Sequence, residues 1–166
     1  LSLVLVACLA SFLAGCGDDK KSRRSKSSRA STPDLDDPEV REKIATEAVE
    51  GRDLESRDDV NYQPGSQEPY TGWVKHSYEN LQVAWMARNK DGKRHGIFTS
   101  WYKDGSRRGK GHWKDGKLVS MIGWKPNGQK CSVTNVIDGN GIWVGYDDDG
   151  AEILRSTWKD GERAEW

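Results

Sequence analysis

The side chains of this chain best suited to surface chemistry are its regularly spaced aromatics. Four residues before a recurring turn stand Ser77, Trp101, Trp124 and Tyr146, and three residues before a second turn stand Asn89, Trp113, Val136 and Trp158. Rings of this kind stack on sugars and on peptide side chains, and tryptophan is favoured where binding energy concentrates. Trp101, Trp113, Trp124, Tyr146 and Trp158 are therefore the candidate binding surface; packed within a sheet, the same rings would instead be core. His76, His95 and His112 lie 19 and 17 residues apart at non-equivalent positions, which does not give a repeated zinc ligand set. Asp147-Asp148-Asp149-Gly150 lacks the alternating ligands and later Glu of a calcium loop, and turn chemistry explains it better. There is no Gly-x-Ser-x-Gly elbow for nucleophilic catalysis, and the glycines are not arranged as a phosphate loop. Paired carboxylates for glycoside cleavage stay open, because their geometry is three-dimensional. The expectation is binding without catalysis, with neither metal nor cofactor.

The elements that must position these rings are set by the turns. Gly105, Gly128 and Gly150 follow an acidic or amide residue at separations of 23 and 22, and Gly92, Gly116, Gly139 and Gly161 do so at 24, 23 and 22. Asp-Gly and Asn-Gly accept the positive φ of tight hairpins, and a fixed period of this length marks a repeat architecture. Turns every 11 to 12 residues leave room for one strand between them. Leu81 extends the first comb backward but stands where glycine is expected, and Val119 replaces a glycine found at Gly72, Gly96 and Gly141, which makes the third unit irregular. The predicted fold is all-β: an elongated, twisted antiparallel sheet of four stacked β-hairpin repeats over residues 70–166. Ladders of aromatic and β-branched side chains would form its core, each pair contributing roughly 0.2 to 1 kcal/mol.

Composition limits what lies outside that array. Only 34% of the chain is hydrophobic and 31% is charged, poor material for a thick core, and all eight tryptophans follow residue 70. The 26 basic and 26 acidic residues cancel, which argues against a nucleic-acid partner, since such binding needs a cationic surplus. Lys20, Lys21, Arg23, Arg24, Lys26 and Arg29 make a local basic run, read as a solvated linker or as a contact to anionic lipid. Residues 16–36 are predicted to be a disordered tether and residues 52–69 a linker. Between them, Asp37-Pro38-Glu39 has the form of an N-cap and first turn. Val40, Ile44, Ala45, Ala48 and Val49 supply a modest apolar stripe, and Gly51 closes a short predicted helix over 37–51.

Residues 1–15 are apolar and too short to span a bilayer, but have the length of a signal-peptide hydrophobic region. Leu13-Ala14-Gly15-Cys16 resembles the lipobox of bacterial lipoproteins, in which signal peptidase cuts before the cysteine and the cysteine is acylated. The resemblance implies that Cys16 is the lipidated first residue of the mature protein, since stable anchoring takes more than one acyl chain. It also implies a site on a bacterial membrane facing outside the cytoplasm. No Met or basic leader precedes Leu1, so a few residues are expected to be missing there. With Cys8 removed and Cys16 lipidated, Cys131 has no disulfide partner and is expected to be a half-buried structural thiol.

The segments His95-Gly96-Ile97-Phe98-Thr99-Ser100-Trp101-Tyr102-Lys103-Asp104-Gly105 and Trp113-Lys114-Asp115-Gly116-Lys117 resemble the MORN-variant repeat, with a likeness extending over about residues 70–166. Proteins carrying that repeat are often labelled antitoxins. The resemblance implies strings of antiparallel hairpins that bind or scaffold without established catalytic residues. The expected partner is an envelope protein, with a cell-wall glycan as the alternative. A toxin met in the cytoplasm fits poorly with export through Cys16.

Overall fold

The computed structural model describes residues 32–164. The signal-peptide segment, Cys16 and Trp166 lie outside the described residues. The chain is mostly β. Helix α1 (Pro38–Glu47) leads into β1 (Val49–Glu50), a 3₁₀ turn (Gly51–Asp53) and a small hairpin of β2 (Glu55–Arg57) and β3 (Val60–Tyr62). An unbroken meander follows: β4 (Gly72–Ser77), β5 (Val83–Lys90), β6 (Lys93–Trp101), β7 (Arg107–Lys114), β8 (Lys117–Trp124), β9 (Lys130–Ile137), β10 (Asn140–Tyr146), β11 (Glu152–Lys159) and β12 (Glu162–Arg163). These nine strands join β1 in one ten-stranded sheet, antiparallel throughout except where β1 runs parallel to β4.

Two kinds of turn alternate along the meander. At 90–93, 114–117, 137–140 and 159–162 both central residues have positive φ: Asp91, Asp115, Asp138 and Asp160 lie near 50°, and the glycines after them between 75° and 86°. This is the two-residue turn whose twist matches that of the flanking strands. At 78–82, 102–106, 125–129 and 147–151 the turn is wider. The fourth residue donates its N–H to the first carbonyl and carries the positive φ: Leu81, Gly105, Gly128 and Gly150. The acid or amide inside the turn accepts a backbone N–H two residues on, as in Asn80 to Gln82, Asp104 to Ser106 and Asn127 to Gln129.

The sheet is not flat. Phe98 on β6 and Trp143 on β10 are four strands apart, about 19 Å in a flat sheet, yet their ring centroids are 6.0 Å apart. Trp113 on β7 reaches Trp158 on β11 at 5.6 Å. The sheet therefore rolls up, and its inner face becomes the core: Ala87, Phe98, Trp113, Leu118, Met121 and Val136 are buried, with Trp85, Trp143 and Trp158 packed against them. Backbone bonds between the tight turns fasten the roll. Gly139 N–H donates to Val119 O, Gly161 N–H to Gly139 O at 3.0 Å, and Leu118 N–H to Gly161 O at 2.9 Å. Gly109, Gly111 and Gly123 make room inside; a Cβ on Gly111 would sit 2.6 Å from Ser120 O and 2.8 Å from Met121 Cε.

The outer face of β4 to β6 is covered by α1. Leu35, Ala48, Met86 and Trp101 are buried there, against Ile44, Ala45, Trp73, Val83 and Ile97. Asp37 caps the helix, accepting from Glu39 N–H at 2.9 Å and Val40 N–H at 3.4 Å, and Pro38 follows at the first position. The helix ends at Glu47 rather than Gly51. Ala48 is already extended, and β-branched Val49 pairs with Val74 at the sheet edge, so strand pairing overrides the helical pattern.

Two flanking segments differ from expectation. The C-terminal end of the predicted tether is packed: Leu35 is 1% exposed, and Asp36 holds Lys110 at 2.9 Å and Arg107 through its Nε at 2.9 Å. The predicted linker holds the β2–β3 hairpin and docks on the sheet, with Asn61 N–H donating to Gly92 O and Gly92 N–H to Tyr70 O. In the third unit the irregular pairing falls on β9. There Thr134 Oγ1 accepts from Val144 N–H at 2.9 Å and donates to Val144 O at 3.0 Å, standing in for a backbone rung.

Candidate functional site

The five predicted surface aromatics do not share a surface. Trp101 is 2% exposed, beneath α1 with the Arg41 guanidinium over its ring. Trp113 is 6% exposed and packs with Trp158 inside the roll, on the other face of the sheet. Trp124, Tyr146 and, against the core, Trp158 are half-buried. Arg107 lies over the first at 4.8 Å and Lys125 over the second at 5.4 Å. Rolling the sheet turned an expected open aromatic face into a core, because rings on alternate strands could then reach each other rather than a ligand.

What the structure assembles instead lies along the edge of wide turns. A cleft of about 700 Å³ is lined there by Arg52, His76, Tyr78, Lys103, Arg108, Tyr146, Asp148 and Ile153, among others. A second, of about 480 Å³, lies between α1 and the first two wide turns, beside Leu81, Val83 and Arg41. Ser77 and Tyr102 line both.

Tyrosines build this edge. Tyr78 Oη donates to Trp101 O at 2.8 Å, and Tyr102 Oη donates to Trp124 O at 2.6 Å, each reaching across a hairpin to the equivalent carbonyl. Burial raises the Tyr78 phenol and pushes Tyr102 up to about 12, so both stay protonated donors. Across the roll, Lys103 Nζ lies 3.5 Å from Asp148 Oδ2, and Lys103 N–H donates to Asp148 Oδ1 at 3.1 Å. The cleft therefore mixes cations (Arg52, Lys103, Arg108) with anions (Glu79, Asp147, Asp148) around ring faces.

Two large apolar residues stand out at this edge. Leu81 is 82% exposed and Ile153 59%. Leu81 also has φ of +66°, the left-handed conformation that the other three wide turns give to glycine. The sequence showed Leu81 only as a faulty turn. Its residue type at a position demanding positive φ was the available signal, since a β-carbon there costs roughly 1 to 2 kcal/mol.

The remaining polar candidates are structural. His95 Nδ1 lies 2.9 Å from Asp115 Oδ1, while His76 stacks on Trp85 at 6.0 Å. Among the described residues no group of three or more His, Cys, Asp or Glu is placed to hold a metal. Asp147 serves its own turn, accepting from Asp149 N–H and Ala151 N–H. Cys131 is fully rather than half buried. Burial pushes its thiol up, but hydrogen bonds with the Tyr146 hydroxyl and Thr134 outweigh this and bring it down to about 7. No family model, curated protein or solved structure matches the chain.

Proposed function

We propose that this chain is a lipid-anchored binding protein of the bacterial envelope, acylated at Cys16 and facing outside the cytoplasm, that docks a partner protein on its wide-turn edge. The observation that carries the docking is Leu81. An exposed leucine in a conformation suited to glycine serves neither folding nor solubility, and strain of that kind is retained where a side chain is needed. The mixed charges and ring faces beside Leu81 and Ile153 suit a protein surface better than a glycan, whose recognition would want bare ring faces. The anchoring rests on the lipobox-like run ending at Cys16, and the resemblance to MORN-variant proteins on the two combs of turns.

Pull-down from envelope extract with the full chain, beside Leu81→Gly and Ile153→Ser, tests the docking. The expected result is one partner retained by the wild type and lost from both variants. Equal retention by all three, or cosedimentation with purified peptidoglycan in place of a protein, would sink it. Labelled palmitate tests the anchor: incorporation is expected in the wild type and none in Cys16→Ser.

A further inference from the structure

A cavity of about 300 Å³ is lined by Leu54, Asn61, Val74, Trp85, Asn89 and Arg94, and shares Arg52 and His76 with the larger wide-turn cleft. Arg94 carries a guanidinium set among three rings of the inner core. Its central carbon lies over Trp113 at 5.1 Å, Trp85 at 5.3 Å and Phe98 at 5.9 Å. Among the described residues no carboxylate pairs with it. The acids of the neighbouring cleft are Asp59, Asp115 and Glu162; Asp115 is engaged by His95 at 2.9 Å and Glu162 by Lys117 at 2.9 Å. Directly across the strand pair stands Asn89, 1% exposed, whose Nδ2 has no acceptor. Trp113 Nε1 is likewise buried without a partner. Burial alone pulls Arg94 below its ordinary value.

A buried donor left unmet is costly, and here one, the Asn89 amide, shares a cavity with a cation. Aromatic rings satisfy a guanidinium through its faces, whereas its N–H groups lie in its plane and match a planar acceptor with two oxygens. A negative charge would balance the Arg94 guanidinium, and Leu54, Val74 and Trp85 offer an apolar wall.

We infer that this cavity binds a carboxylate on a small apolar body, the oxygens taken by Arg94 and Asn89. The group is either a free short-chain acid or the C-terminal carboxylate of a peptide. The site shares Arg52 and His76 with the wide-turn cleft, but its test reads carboxylate binding and so stands or falls separately from protein docking.

The test follows tryptophan fluorescence of the full chain during titration with butyrate and with trialanine, each beside its amide, and with inorganic phosphate. A saturable change with either acid and not with its amide is expected, and whichever acid responds identifies the source. Arg94→Lys should weaken it by roughly tenfold or more, as expected when a bidentate partner becomes a point charge. Because Arg94 variants risk misfolding, Asn89→Asp provides the second arm. A carboxylate built beside Arg94 should abolish the response to acids and raise the melting temperature. No saturable response in the wild type, an equal response to amides, a stronger one to phosphate, or an Asn89→Asp chain that melts lower and still responds would overturn the site.

Discussion

Leu81→Gly should stabilise this protein, against the ordinary result of deleting a leucine. The left-handed conformation costs a leucine about 1.5 kcal/mol. Glycine is free of that, but its looser unfolded chain takes back about 0.75 kcal/mol. With 82% of Leu81 already in solvent, truncation forfeits only about a fifth of a full burial worth about 2 kcal/mol, or about 0.4 kcal/mol. The balance is a gain of about 0.4 kcal/mol, a rise of one or two degrees in melting temperature for a domain of this size. Urea unfolding is the better assay, since a shifted midpoint at constant slope isolates stability from compactness. Gly105→Leu is the reciprocal control. Its Cβ would meet nothing within 4 Å and its φ is +83°, so it should lose about 0.75 kcal/mol. A loss of 0.5 kcal/mol or more in Leu81→Gly would refute the strain, and with it the argument that Leu81 is kept for a partner.

Two further outcomes follow from the fold. Gly105→Ala and Gly161→Ala share nearly the same φ, +83° and +80°, so by the same balance each loses about 0.75 kcal/mol to conformation. At Gly161, however, the new methyl would lie 2.8 Å from Lys117 Cβ and 3.0 Å from Leu118 O; unfolding curves should show at least another 1 kcal/mol lost there as the roll loosens. For Asp36, burial raises the carboxyl but Lys110 and Arg107 outweigh it, leaving its pKa below the ordinary 3.8. A depressed folded pKa gives stability that is complete above 3.8 and is lost as pH falls through the folded value. Asp36→Asn should therefore cost about 1 kcal/mol at neutral pH, by chemical denaturation, and flatten the acid limb of the stability profile.

The turns were legible in the sequence because each is a local event. Asp-Gly fixes its own two φ angles whatever lies around it, and Asp37-Pro38 caps a helix in isolation. Antiparallel order follows from those turns, so a hairpin sheet could be written down beforehand, whereas β1, which joins it in parallel, and the short β12 could not. Its curvature could not. Whether Trp113 meets Trp158 or a ligand depends on Gly109, Gly111 and Gly123 thinning the inner face of β7 and β8, and on Gly161 reaching Leu118. Those contacts join residues tens of positions apart, which no period of 22 to 24 specifies. The same reason hid the Arg94 cavity, since Asn89 and Arg94 flank an Asp-Gly turn of the kind that recurs at 115–116, 138–139 and 160–161.

The two edges of the sheet are constrained differently, and this bears on where a docking surface can form. On the tight-turn edge Gly92, Gly139 and Gly161 are buried and bonded to neighbouring chain, so a side chain added there strikes backbone. A side chain at those three glycines would press on the contacts that close the roll, whereas exposed Gly116 meets only the Lys93 side chain. On the wide-turn edge Gly105, Gly128 and Gly150 have open space around their absent β-carbons, and residues within these turns vary from Glu79-Asn80 to Lys103-Asp104, Pro126-Asn127 and Asp148-Asp149. A turn held by its own backbone bonds, with free volume outside it, can change its side chains at little cost to the fold. Leu81 is the furthest use of that freedom: it departs even from glycine, at the end of the edge where α1 adds a second wall.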